Sequence, residues 1–182
     1  MRTDHEGVLD AAVRLLAVNP GASTVDIAKA AGISRATLHR LYPSRDVLIE
    51  DLAERALVAT QAAIDAVGLE RAQPIDGFQR LVDALLPLAH QYAFLMNEAQ
   101  LDHSPRIVDA TRRFDTRLEE FFTRGQMEGA FRVDLPASWM GLLLMHTLVA
   151  ASEGLRLGIM GHREAPRLVS LSLLSGVRSE TS

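Results

Sequence analysis

The sequence predicts an all-α protein: a three-helix head over residues 1–45, a connecting helix over 46–67 and a larger helical domain over 68–182. Three observations predict it. Apolar residues recur at the three- and four-residue spacing of a helix face along most of the chain. Glycines, prolines and capping serines fall between those stripes, where helices stop and start. The stretch from residue 24 to 48, TVDIAKAAGISRATLHRLYPSRDVL, fits two short helices and a tight turn into so few residues that the rest of the chain is organised around it.

The bulk properties bound the possibilities. At 182 residues and 48% hydrophobic, the chain can bury a real core and is not a disordered segment. It has no cysteine, which excludes a disulfide framework, a thiolate metal site and a cysteine nucleophile. That composition fits a reducing cytoplasm, the expected location. A net charge of −4 argues against a protein that coats nucleic acid with its whole surface, yet leaves room for a local basic face. The opening MRTDHEGVLDA has no apolar signal core.

The first helix is expected over 5–18, with Leu9, Ala12, Val13 and Leu16 as its apolar stripe and Asn19-Pro20-Gly21 as its stop. The second spans 23–31. Ser23 or Thr24 can cap it, Asp26 suits its dipole, and Ile27, Ala28 and Ala31 share a face. Gly32 stops it, because glycine enters the left-handed conformation without a Cβ clash. Ile33 fills the space between the helices and Ser34 caps the third, which runs to about residue 42. Leu38 and Leu41 of that helix point inward; Arg35, Ala36, Thr37, His39 and Arg40 point outward. Pro43 ends it and Ser44 caps a long fourth helix to about residue 67.

Residues 68–77, GLERAQPIDG, read as a linker. Five helical segments should follow. One over 78–86 meets Pro87, which should break or kink it, and one continues over 88–101. Ser104-Pro105 opens a long amphipathic helix to about residue 128, with Gly125 and Gly129 marking its end. After a turn at 131–136, residues 137–152 carry no charge and residues 167–177 form the last helix.

The outward set of the third helix suits a major groove. Arg bonds two guanine acceptors, Thr offers a hydroxyl and a methyl, and Ala allows close approach. From Ile27 to Arg45 there are four basic residues and no Asp or Glu. On charge alone a solvated helix face explains this equally well; the spacing of Ala28, Gly32, Ile33 and Leu38 favours a helix-turn-helix.

The same stretch resembles the DNA-binding domain of TetR-family regulators, a homeodomain-like helix-turn-helix. The family pattern appears here as Thr24, Ile27-Ala28, Ala31-Gly32-Ile33-Ser34, Thr37-Leu38, Tyr42, Ser44, Arg45 and Leu48. His39 stands where the family usually has Tyr, Tyr42 where it usually has Phe, and Arg45 where it usually has Lys. The resemblance implies a transcriptional regulator, a repressor of a palindromic operator, released when a ligand in the second half shifts the fourth helix. Arg35, Ala36, Thr37 and Arg40 become candidates for base contacts, and Thr24, His39, Tyr42 and Arg45 for phosphate contacts. His39 replaces a residue that touches the DNA backbone in relatives, which puts that contact in question. It also keeps alive an alternative: a helical ligand- or partner-binding module without DNA binding.

The second half yields less. Residues 137–152 are too short for a membrane span of about 18–20 residues and carry Ser138, His146, Thr147 and Ser152. Two apolar C-terminal helices call for more cover than one chain supplies, which a homodimer would provide; the alternative is packing within one chain. Tyr92, Phe94, Met96, Asn97, Phe121, Phe122, Trp139, Leu143 and His146 could line an apolar effector pocket or be ordinary core, and the resemblance favours the pocket. Gln100, Arg117 and Glu153 are further polar candidates there. The six histidines lack tight ligand spacing, and no HExxH, GxSxG or phosphate-cradling glycine loop occurs. The expectation is no enzyme, no cofactor, no metal and no catalytic residue.

Overall fold

The computed structural model describes residues 5–91 and 98–178. Among these residues the chain forms eight α-helices: α1 (His5–Val18), α2 (Thr24–Ala30), α3 (Arg35–Leu41), α4 (Arg45–Val67), α5 (Pro74–Leu85), α6 (Pro105–Met127), α7 (Ala137–Arg156) and α8 (Ala165–Val177). Two 3-10 turns, Leu86–Leu88 and Ala99–His103, complete the described elements. No helix among the described residues is long and apolar enough to cross a membrane.

The chain divides into two compact units, and the division differs from the expected one at residues 45 and 68. One unit is Met1–Leu57 with Gln91–Val108; the other is Val58–His90 with Asp109–Ser182. The α4 and α6 helices each contribute residues to both.

In the first unit, α1, α2, α3 and the start of α4 close around Leu9, Leu16, Ile27, Leu38, Leu48, Ile49 and Leu52. Leu101 and Ile107, more than forty residues further along, complete this core. Ion pairs fasten its rim: Arg55 meets Asp10 and Glu6, and Arg106 meets Glu54.

The second unit is organised by an aromatic cluster. Phe78, Phe121, Phe122 and Phe131 pack with centroids 5.2–6.4 Å apart, mostly edge to face. Pro74 stands at the start of α5, where its missing N–H costs nothing. The expected linker 68–77 therefore ends earlier, and its last glycine is inside a helix. Gly77 is there because the helix passes close to its neighbours: a Cβ would lie 2.9 Å from Ala72 Cβ and 3.0 Å from the Phe121 ring. Pro87 falls in the 3-10 turn Leu86–Leu88, as its broken helical pattern suggests.

Gly125 does not end α6. It lies within the helix, and a Cβ there would overlap the Phe131 ring. Gly129, with φ +73°, makes the left-handed stop. The turn that follows is tied down on both sides. Gln126 Nε2 donates to the carbonyls of Arg132 and Leu135, each at 2.8 Å, and Arg132 N donates to Val177 O at 2.9 Å. The α7 helix runs one turn beyond the uncharged stretch, to Arg156, and packs against α8.

The Gly125 contact gives the first prediction. Gly125→Ala should destabilise the protein by about 1–3 kcal/mol, because Phe131 is fully buried and cannot yield. Gly7→Ala in α1, where a Cβ meets only open space, should be neutral or stabilising by up to about 1 kcal/mol. Urea denaturation of the two variants checks the contrast.

Candidate nucleic-acid interface

Local hydrogen bonding sets the geometry of α2 and α3. Of the two expected caps, Ser23 closes α2: its Oγ accepts from Asp26 N at 3.2 Å, and the Asp26 carboxylate accepts from Ser23 N at 2.9 Å. Ser23 Oγ also donates to the Asp26 carboxylate at 2.6 Å, and this bond, with the one from Ser23 N, holds Asp26 below its usual carboxylate range. At the other end Gly32 takes φ +66°, Gly32 N donates to Lys29 O at 3.1 Å and Ile33 N to Ala28 O at 3.0 Å. This pair of bonds ends α2 and reverses the chain within two residues. Ser34 then caps α3, its Oγ accepting from Thr37 N at 3.0 Å. Ser44 caps α4 by accepting from Val47 N at 3.2 Å.

The α3 helix buries Leu38 and leaves Arg35, Ala36, His39 and Arg40 exposed. Arg35 and Arg40 make no ion pair among the described residues. Thr24, at the start of α2, and Thr37 are half-buried, and the Thr37 hydroxyl lies 2.9 Å from Ser34 Oγ. The structure thus brings five of the predicted residues, Arg35, Ala36, Thr37, His39 and Arg40, onto one short helix.

Two expected phosphate-contact residues are placed otherwise. Tyr42 is 3% exposed, its ring in the core of the first unit, with its hydroxyl 3.2 Å from His5 Nδ1. Burial, helped by the negative charges of Asp51 and Glu6, pushes its phenol up to about 12. Arg45 is engaged by Glu98. Its Nη1 and Nη2 donate to the two carboxylate oxygens at 2.8 and 2.6 Å, and Nη2 also donates to Pro20 O at 3.1 Å. Sequence reasoning missed Glu98, and no local signal could have found it: the partners are 53 residues apart.

Of the nine expected effector residues, five fall among the described residues, and these five are not gathered in one place. Tyr92, Phe94, Met96 and Asn97 lie outside the described residues. Phe121 and Phe122 are buried in the aromatic cluster, with 2% and 0% exposure. Trp139 and His146 lie exposed on one face of α7, and Leu143 is half-buried against the second core. Of the further polar candidates, Arg117 pairs with Asp65 and Glu70, Glu153 with Arg156, and Gln100 with Glu98.

Comparison with known proteins decides the family. The model of bacterial regulatory proteins of the tetR family matches residues 8–52, which span α1 to the first turns of α4. The HTH-type transcriptional repressor LfrR of Mycolicibacterium smegmatis is 31% identical over 178 residues, covering 95% of this chain and 89% of that protein. The chain belongs to the TetR family. The HTH-type transcriptional regulator NfxB of Pseudomonas aeruginosa is 34% identical over 121 residues, 65% of each chain. LfrR solved in complex with proflavine superposes with a TM-score of 0.78 at 27% identity over 94% of each chain. The ketosteroid regulator KstR2 of Mycobacterium tuberculosis shares the fold, with a TM-score of 0.75 at 21% identity over 96% of this chain and 95% of its own. As a TetR-family member this is a transcriptional regulator with a DNA-binding helix-turn-helix, and its relatives are regulators rather than enzymes.

The Tyr42 environment makes a pH prediction. In the unfolded chain a tyrosine ionises near 10, whereas folded Tyr42 keeps its proton to about 12. Its share of stability is therefore intact below about pH 10 and falls as pH rises from about 10 to 12. Tyr42→Phe should flatten that fall by on the order of 2 kcal/mol. Urea midpoints of wild type and variant across the alkaline range measure it.

Proposed function

We propose that this chain is a dimeric, effector-responsive repressor that reads a palindromic operator with α3. The observation that carries the reading is the capped, outward face of α3, where Arg35 and Arg40 stand exposed and have no carboxylate partner among the described residues. Arg35, Ala36, Thr37 and Arg40 supply base contacts, with Thr24 and His39 at phosphates. The repressor role is supported by the likeness to LfrR, itself a repressor.

The dimer reading rests on α7 and α8. Trp139 and Leu142 are 46% and 48% exposed on one face of α7, and Leu171 is 56% exposed on α8 beside small Ser172 and Ser175. An apolar surface of this kind, uncharged through most of α7, is stable in water once a second copy covers it. A two-fold pair also matches two operator half-sites. The effector is small and largely apolar and acts through the second unit. LfrR holds proflavine, which makes a planar aromatic cation the first effector to try. The site of action is the cytoplasm.

Selection from a random DNA pool with purified protein, at two salt concentrations, tests the function. The expected product is a palindrome whose affinity falls steeply with salt; no enriched sequence at either salt would leave only a helical binding module. On that palindrome Arg40→Ala should cost about 1–3 kcal/mol and relax the choice of base at one position per half-site.

The interface has its own test. Leu171→Glu should convert the dimer to monomer in sedimentation velocity and weaken palindrome binding by about tenfold or more, since the second half-site no longer arrives with the first. A dimer that survives the substitution would move the interface elsewhere.

A further inference from the structure

We propose that Glu98 sets the DNA affinity of the first unit by masking Arg45, so that the guanidinium reaches a phosphate only when the carboxylate lets go. The inference rests on the DNA-binding reading above and goes beyond it by naming the group that withholds one contact.

Arg45 is the first residue of α4, and only Tyr42, Pro43 and Ser44 separate it from the end of α3. On the reading that α3 enters a groove, a cation this close to α3 in the chain is within reach of the flanking DNA backbone. Three of the five N–H donors of Arg45 are already committed, and with them the Nη1–Nη2 edge. Both Glu98 oxygens accept from Arg45, at 2.6 and 2.8 Å, and the Pro20 carbonyl takes a further N–H at 3.1 Å. A two-pronged carboxylate occupies the same guanidinium edge that a phosphate would use. The two ligands are therefore alternatives. Arg35 and Arg40, by contrast, are exposed.

Glu98 is a held group and not a wandering surface acid. Its side chain is 11% exposed, against 31% for Arg45. Gln100 Nε2 donates to the same carboxylate at 2.8 Å. The 3-10 turn that follows, Ala99–His103, is anchored by Leu101 in the core of the first unit. The hydrogen bond from Arg45 holds the Glu98 carboxyl below its usual range, so the mask is charged at neutral pH.

The test compares wild type, Glu98→Gln, Glu98→Ala, Arg45→Ala and the Arg45→Ala/Glu98→Gln double variant on one DNA across a salt series, with thermal melts to verify folding. Glu98→Gln and Glu98→Ala should bind more tightly than wild type. Their plots of log affinity against log salt should be steeper by about 0.9 per bound protomer. Their advantage then grows about threefold per protomer as salt falls from about 200 to 50 mM. The gain should disappear in the Arg45→Ala background. Equal slopes, or a gain that persists without Arg45, would overturn the mask and leave a general field effect of the lost charge. Weaker binding by folded Glu98 variants would also overturn it, making the pair a brace that binding needs. If wild type and every variant fail to bind any DNA, the DNA reading itself fails. If wild type binds and the slopes coincide, only the mask does. Binding by Glu98→Gln where wild type shows none would support both.

Discussion

The reversal at Gly32 is the constraint on which the DNA-facing part of the molecule depends. The α2 helix has seven residues and α3 has seven, too few for either to be stable alone in water. Each survives because its ends are closed and its inner face is packed. Gly32 at φ +66° lets the Ile33 N–H fold back onto Ala28, so α2 ends just where Ser34 can cap α3. A Cβ at position 32 would meet no neighbour. The glycine is required by its backbone conformation and not by crowding.

Within this frame, polar side chains separate into those engaged by the fold and those left to face solvent. Ser23, Ser34 and Ser44 close helix ends. Tyr42 is buried with its hydroxyl at His5, and Arg45 is held by Glu98 and Pro20. What remains on α3 is a narrow set, Arg35, Ala36, His39 and Arg40, supported by the buried Leu38 beneath. Burial and pairing thus shorten the list of candidate contacts that residue type alone suggests. A tyrosine and an arginine near a groove are equally good phosphate ligands on paper, and only their partners distinguish them.

Helix ends in the first unit were legible because their causes are local. A cap and its N–H lie three residues apart, and a left-handed glycine follows the last helical carbonyl directly. The all-α class and the helix-turn-helix could be read from such signals and from the TetR resemblance. What could not be read has causes distant in sequence. Gly77 and Gly125 look like linker and terminus residues, yet each lies in a helix because an aromatic ring passes close by. Pro74 reads as a breaker but starts α5. Phe121 and Phe122 carry the same apolar signal whether they line a cavity or fill a core, and the partners that decide, Phe78 and Phe131, come from other segments. The ion pair between Arg45 and Glu98 joins residues whose local patterns say nothing of each other.

The second unit shows how a chain can have a closed core and an unfinished surface together. The four clustered phenylalanines, Phe78, Phe121, Phe122 and Phe131, leave almost no surface exposed, and Met140, Leu144 and Leu148 of α7 pack into the same core. Helical periodicity then obliges the opposite face of α7 to hold Trp139, Leu142 and His146, because the stretch over 137–152 has no charged residue to place there. An uncharged stretch of helix with only one face buried cannot satisfy its other face in water by rotation, since every rotation exposes something apolar. Burial on one side and an apolar surface on the other are therefore two consequences of the same composition.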